Sequence, residues 1–143
     1  MSKVGRSVQL KLTRREVAKR RARIVRIVRA LPEATITEHG RHLSLDVRGK
    51  RFGWYLEDHH GDGRLALNCK APAGANESLA SSKPERFHVP KYVGHHGWAG
   101  LWLDLPQTDW SEVEAVLTEA YRLTAPKSLV AQLSNLAARM RQL

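Results

Sequence analysis

Residues 42–56 read HLSLDVRGKRFGWYL, and the alternation within them decides the fold class. Leu43, Leu45 and Val47 alternate with His42, Ser44 and Asp46. Side chains two apart share a strand face, so this is the spacing of a half-buried strand. Arg48-Gly49-Lys50-Arg51 supplies a short turn, after which Phe52, Trp54 and Leu56 resume the alternation. Asp58-His59-His60-Gly61-Asp62-Gly63 reads as a second turn, followed by Leu65, Leu67 and Cys69 on a third strand. Three consecutive strands joined by short turns predict an antiparallel meander.

Toward the N-terminus, Thr13-Arg14-Arg15-Glu16 matches a capping box, in which the Thr hydroxyl and the Glu carboxylate each accept a free backbone N–H. Val17, Ile24, Val28 and Leu31 follow on one face of a helix, and Pro32 ends it. Arg15, Lys19, Arg23, Arg26 and Arg29 fall on the opposite side, while Arg20 and Arg21 flank the apolar stripe. Residues 1–12 read as a flexible basic segment.

Toward the C-terminus, a short helix is expected over residues 76–82 and a short strand over 87–89. A strand follows from Trp98 to Leu105, with Ala99, Leu101, Leu103 and Leu105 on one face and Trp98, Gly100 and Trp102 on the other. Thr108 or Asp109 caps a helix that turns Val113, Val116, Leu117 and Ala120 inward. Pro126 suits the first turn of a last helix, which carries Leu129, Leu133, Leu136, Met140 and Leu143 at four- and three-residue steps. The order α-β-β-β-α-β-β-α-α predicts one α+β domain over 13–143, an antiparallel sheet of about five strands with helices on one face.

The 143 residues hold 24 Lys+Arg and 14 Asp+Glu, a formal charge of +10. Residues 1–31 carry eleven bases against one acid, Glu16, which accounts for the whole excess; the rest of the chain is balanced. A localised patch of this kind attracts polyanions, nucleic acid before anionic membrane. The longest nonpolar run, Gly97–Leu103, is far short of the ~20 residues that cross a bilayer. A single cysteine, Cys69, excludes an intrachain disulfide and a multi-cysteine zinc cluster. With no secretory h-region at the start, a cytoplasmic location is expected.

Five short stretches, in their order and spacing, resemble the small bacterial MmcQ/YjbR proteins. They are Ala30-Leu31-Pro32-Glu33-Ala34, Val47-Arg48-Gly49-Lys50-Arg51-Phe52, Leu65-Ala66-Leu67-Asn68-Cys69-Lys70-Ala71-Pro72, Gly97-Trp98-Ala99-Gly100-Leu101-Trp102-Leu103 and Glu119-Ala120-Tyr121-Arg122-Leu123. The resemblance runs from about Thr13 to about Leu129. It implies an antiparallel sheet with helices against one side, as in secretion-chaperone-like proteins. It also implies DNA binding with hairpins as wings, and it brings no catalytic residues. The arginine density of the first helix and the leucine-spaced tail go beyond the family pattern.

The helix row Arg15, Lys19, Arg23, Arg26 and Arg29 extends ~21 Å at ~1.5 Å per residue, long enough to follow or bridge phosphates. Arginine suits phosphate because its planar fork donates two hydrogen bonds and keeps its charge. The bland alternative is a solvated face paired with acids of a neighbouring helix. Arg48, Lys50 and Arg51 are a second candidate contact, or simply a soluble turn. Trp98 and Trp102 are candidates for stacking single-stranded bases, with Lys91, Tyr92, His95 and His96 as company, unless a helix or loop covers them as core.

The seven histidines show no metal-ligand spacing, and Cys69 reads as a small buried hydrophobe. No metal, cofactor or catalysis is expected. The reading is a non-catalytic protein that binds nucleic acid, DNA before RNA, without sequence preference. The alternative is a chaperone-like adaptor that takes an acidic partner, or that self-associates through Leu129, Leu133, Leu136 and Met140.

Overall fold

Thr13 opens the first helix, α1 (Arg14–Arg29), through the expected capping box in a computed structural model that describes residues 10–143. The Glu16 N–H donates to Thr13 Oγ1 (3.1 Å) and the Thr13 N–H to Glu16 Oε1 (2.9 Å). The segment 1–12 expected to be flexible lies mostly outside the described residues, and Leu10 and Leu12 pack against the core. Then follow β1 (Ala34–His39), β2 (His42–Val47), β3 (Lys50–Glu57), β4 (Leu65–Cys69), α2 (Ala75–Ser82) and β5 (Phe87–His88). The last elements are β6 (Ala99–Trp102), α3 (Trp110–Arg122) and α4 (Lys127–Arg141).

The strands form one antiparallel sheet in the order β1-β2-β3-β4-β6-β5, an α+β fold with six strands where about five were expected. The additional strand is β1. It is an edge strand whose largest apolar side chain is Ile36, and most of its residues are exposed, so it gives almost no hydrophobic alternation. Its partner β2 returns through Arg48 and Gly49, both at positive φ (50° and 76°), a two-residue turn between the paired residues Val47 and Lys50. A positive φ is costless only at glycine, which is why Gly49 sits there.

Residues of one cross-strand row, Leu43, Tyr55, Leu67, Leu101 and Phe87, face the helices. They form the core with Ile24 and Val28 of α1 and with Val113, Leu117, Ala120 and Tyr121 of α3. Each fully buried Leu or Ile in such a cluster contributes about 1.5–3 kcal/mol relative to exposure. The Tyr121 hydroxyl donates to the Pro32 carbonyl at 2.7 Å and ties α3 to the end of α1.

A register shift after Leu45 places Gly53 opposite Leu45 and Arg51 opposite Asp46. Phe52 is the extra residue of this bulge, and its ring enters the core edge-on to Tyr121 at 5.9 Å. The bulge corrects the simple alternation read from the sequence. Phe52 is buried, but Trp54 and Leu56 are half-buried, and the Trp54 row is the one opposite the core; Tyr55 is the buried partner. That opposite row runs Ser44, Trp54, Asn68, Gly100 and His88 across five strands.

Candidate nucleic-acid interface

The arginines of α1 divide by position on the helix wheel. Arg20, beside the apolar stripe, donates through Nη1 to the Leu103 carbonyl (2.6 Å), the Leu105 carbonyl (2.8 Å) and Thr108 Oγ1 (3.0 Å). Arg21, on the other flank, donates to Glu38 Oε2 at 2.7 Å. These two are structural. Arg15, Lys19, Arg23, Arg26 and Arg29 are exposed, and none has a carboxylate within 4.0 Å among the described residues.

The arginines about the sheet differ from this row. Arg41, Arg48, Arg51, Arg64, Lys83 and Arg86 each pair with an acid, whereas Lys50, Lys70, Lys91, Arg122, Lys127, Arg139 and Arg141 have no carboxylate within 4.0 Å among the described residues. Glu16, the acid within α1, is held in the cap; the Thr13 backbone N–H is the main reason its carboxyl lies below the ordinary range. The five cations stand four, four, three and three residues apart and repel one another, with only Glu16 near Lys19 as an opposing charge within the helix. Arg26 and Arg29 gain a little from the negative end of the helix dipole. At its other end α1 lines a groove of about 830 Å³ with Glu38, Arg41, Glu57 and Asp58, where acids balance the bases.

The hairpin tip is less available than its composition suggests. Arg48 donates through Nε and Nη2 to the two Glu33 oxygens, at 2.6 and 2.9 Å, and this pairing lowers the Glu33 carboxyl and raises the guanidinium. Arg51 donates to Asp46 Oδ1 at 3.0 Å and lies over Trp54 at 4.6 Å. Lys50 is exposed and has no carboxylate within 4.0 Å among the described residues.

The tryptophans proposed for stacking are not brought to the α1 face. Trp102 projects from the sheet face opposite Leu101, and it is already engaged. The Arg64 guanidinium lies 3.6 Å from its ring centre, and the His88 ring stacks on it at 3.9 Å with a 19° tilt. A base could use this indole only by displacing one of them. Trp98 is half-buried before β6, its carbonyl accepting from Asn76 Nδ2 at 3.1 Å. Lys91, Tyr92, His95 and His96 are exposed.

The sequence reading passed over Trp110. It begins α3, packs one side on the core, and lies under Arg23 with the guanidinium carbon 4.9 Å from the ring centre. The two residues are far apart in the chain, so no local pattern signals their contact. Asp109 beside it is occupied as the α3 cap, accepting the Glu112 N–H at 3.1 Å.

Cys69 is buried, which pushes its thiol up, away from the thiolate form. No group of three or more His, Cys, Asp or Glu is placed to hold a metal ion among the described residues. His42 accepts the Glu57 N–H at 3.1 Å, and burial lowers both His42 and its neighbour His59. Among the described residues no helix is long and apolar enough to cross a membrane. On α4, Leu129 is buried and Leu133 half-buried in the chain's own core, while Leu136 and Met140 are 44% and 63% exposed.

The fold is thus a six-stranded antiparallel sheet with helices on its core face and an unpaired basic strip on the first helix. Residues 29–123 match the model of the YjbR family, and the chain belongs to that family. No curated protein matches the chain. The matched span takes in the whole sheet, the hairpin tip and α3. It is narrower than the resemblance over 13–129: Arg15, Lys19, Arg23 and Arg26 precede it and α4 follows it.

Proposed function

We propose that this protein binds nucleic acid, DNA before RNA, without catalysis, by laying the exposed side of α1 along a phosphate backbone. One observation carries the reading. Arg15, Lys19, Arg23, Arg26 and Arg29 share a solvent face with no carboxylate within 4.0 Å among the described residues, whereas the arginines of the sheet are largely paired. Phosphates would supply the missing counter-charge and relieve the repulsion along the helix. Bound cations would displace the counterions condensed on the nucleic acid, which is the source of the free energy. Phosphate contacts position a protein without reading sequence, so binding is expected to be indifferent to base order.

The test is a double charge reversal, Lys19→Glu with Arg26→Glu, at exposed positions away from the core. The variant should keep the circular dichroism spectrum of the parent and lose at least tenfold in affinity for every duplex in fluorescence anisotropy. Undiminished binding by the folded variant would refute the reading.

A second reading is self-association through the distal half of α4, supported by the exposure of Leu136 and Met140. Leu129 is committed to the chain's own core, so a contact would have to rest on Leu136, Met140 and Leu143. Light scattering on a Leu136→Gln, Met140→Gln variant distinguishes the cases: a dimer would become a monomer, and a monomer would not change.

A further inference from the structure

Three arginine–tryptophan pairs occur among the described residues, and they differ in one respect. Arg64 lies 3.6 Å from the Trp102 ring centre and donates to both Asp104 oxygens, at 2.8 and 3.0 Å. Arg51 lies 4.6 Å from the Trp54 ring centre and donates to both Asp46 oxygens, at 3.0 and 3.4 Å. Each is a complete triad of indole, guanidinium and carboxylate. Arg23 lies 4.9 Å from the Trp110 ring centre and has no carboxylate within 4.0 Å among the described residues.

The third pair therefore has an unneutralised guanidinium that an indole already orients. Its position is also distinct. Arg23 stands in the middle of the basic row, between Lys19 and Arg26, whereas Arg51 and Arg64 belong to the sheet. Trp110 is half-buried with its inner side on the core, so its ring is fixed while part of it faces solvent. The 4.9 Å separation is longer than the 3.6 Å of the Arg64 pair, so Arg23 is the less closely seated of the two, and a base would take the ring face as the guanidinium turns to its phosphate.

We infer that Arg23 and Trp110 together take one nucleotide of a single strand, the phosphate on the guanidinium and the unpaired base stacked on the indole. The inference rests on the phosphate-binding reading of α1 and adds to it a preference for unpaired bases. Chemistry favours this ligand over a simple anion. A phosphate replaces the carboxylate that completes the other two triads, and guanidinium pairs with either in the same two-pronged geometry. The aromatic surface beside it suits the flat face that every base has, so the preference is for strandedness rather than sequence. In a duplex the bases face one another and cannot reach the indole.

The experiment compares a labelled single-stranded oligothymidine with an abasic strand of equal length, which keeps the phosphates and lacks the bases. The full-length protein should bind the base-bearing strand about tenfold more tightly, within the range one base–indole stack supplies. Trp110→Ala should bring the two affinities together by weakening only the base-bearing strand, and Trp110→Phe should keep most of the difference. Should Trp110→Ala not fold, emission decides the matter. Tryptophan fluorescence of the parent should be quenched by the base-bearing strand and not by the abasic one, and the quench should vanish in Trp110→Phe. Equal binding of the two strands by the parent, a preference that survives Trp110→Ala, or a quench that survives Trp110→Phe, overturns this inference and leaves phosphate binding standing. Failure of both strands to bind overturns phosphate binding, and this inference with it.

Discussion

The Arg20 guanidinium donates to the backbone carbonyl of Leu103 at 2.6 Å, fastening α1 to the segment that leaves β6. The same nitrogen reaches the Leu105 carbonyl and Thr108 Oγ1, so one arginine satisfies three acceptors of the β6–α3 connection. This anchor fixes how α1 lies on the sheet, and with it the direction in which Arg23, Arg26 and Arg29 project. An arginine-rich helix is thus built from two kinds of arginine, and they should respond differently to truncation.

Arg20→Ala is expected to destabilise the fold by about 2–4 kcal/mol, since charged hydrogen bonds contribute about 1.5–3 kcal/mol each and the freed carbonyls are left short of donors. Arg26→Ala is expected to change stability by less than about 0.5 kcal/mol, as is usual for an exposed position. Urea denaturation of the two variants measures the difference. Equal losses would mean that the outer arginines also hold the fold.

At the hairpin tip, Arg48 and Arg51 are satisfied by Glu33 and Asp46. Arg48→Ala and Arg51→Ala should therefore weaken nucleic-acid binding less than Arg26→Ala does, and Lys50→Ala should have the largest effect of the three tip variants. Anisotropy with one duplex at low salt gives the order directly.

His88 lies on the Trp102 ring above Gly100, its Nδ1 buried without a partner among the described residues. Burial, helped by the nearby Arg64 charge, pulls its pKa from the ordinary 6.5 down to about 4. Between those two values the unfolded chain binds a proton that the folded chain does not, so stability falls as pH drops from 6.5 toward 4. His88→Phe keeps the stack and removes the titration. Its stability should vary less across that window than the parent's and should be no lower at pH 7, by denaturant midpoints at several pH values.

Gly100 is the companion prediction. A methyl group there would run into the His88 ring, which would have to leave Trp102. Gly100→Ala should cost about 1–3 kcal/mol, the usual penalty for overpacking. A neutral substitution in the same denaturation assay would show that His88 moves aside freely.

Much of this molecule could be read from its residues, for identifiable reasons. The capping box of Thr13 and Glu16 and the spacing of Val17, Ile24 and Val28 act within one helix, so local pattern suffices for α1. The β2–β3 hairpin follows from alternation on either side of Arg48-Gly49-Lys50-Arg51, although the turn itself is only Arg48 and Gly49, both at positive φ, and Lys50 and Arg51 already pair in β3. The bulge at Phe52 was hidden, because the shift that reverses Trp54 is set by pairing with β2 and not by the identity of any one residue. β1 was hidden because an edge strand buries little. In the candidate interface, the free row on α1 was legible from the helix wheel. The neutralisation of Arg48 by Glu33, and the meeting of Arg23 with Trp110, depend on which elements the fold brings together.

The most direct test of the account is the salt dependence of binding to a duplex of arbitrary sequence. With five α1 cations each neutralising one phosphate, log K against log salt concentration should fall with a slope of about −4.5, and the Lys19→Glu, Arg26→Glu variant should fall with a visibly shallower one. A slope near zero, or one that the double reversal leaves unchanged, would contradict the claim that the outer face of α1 meets the phosphates.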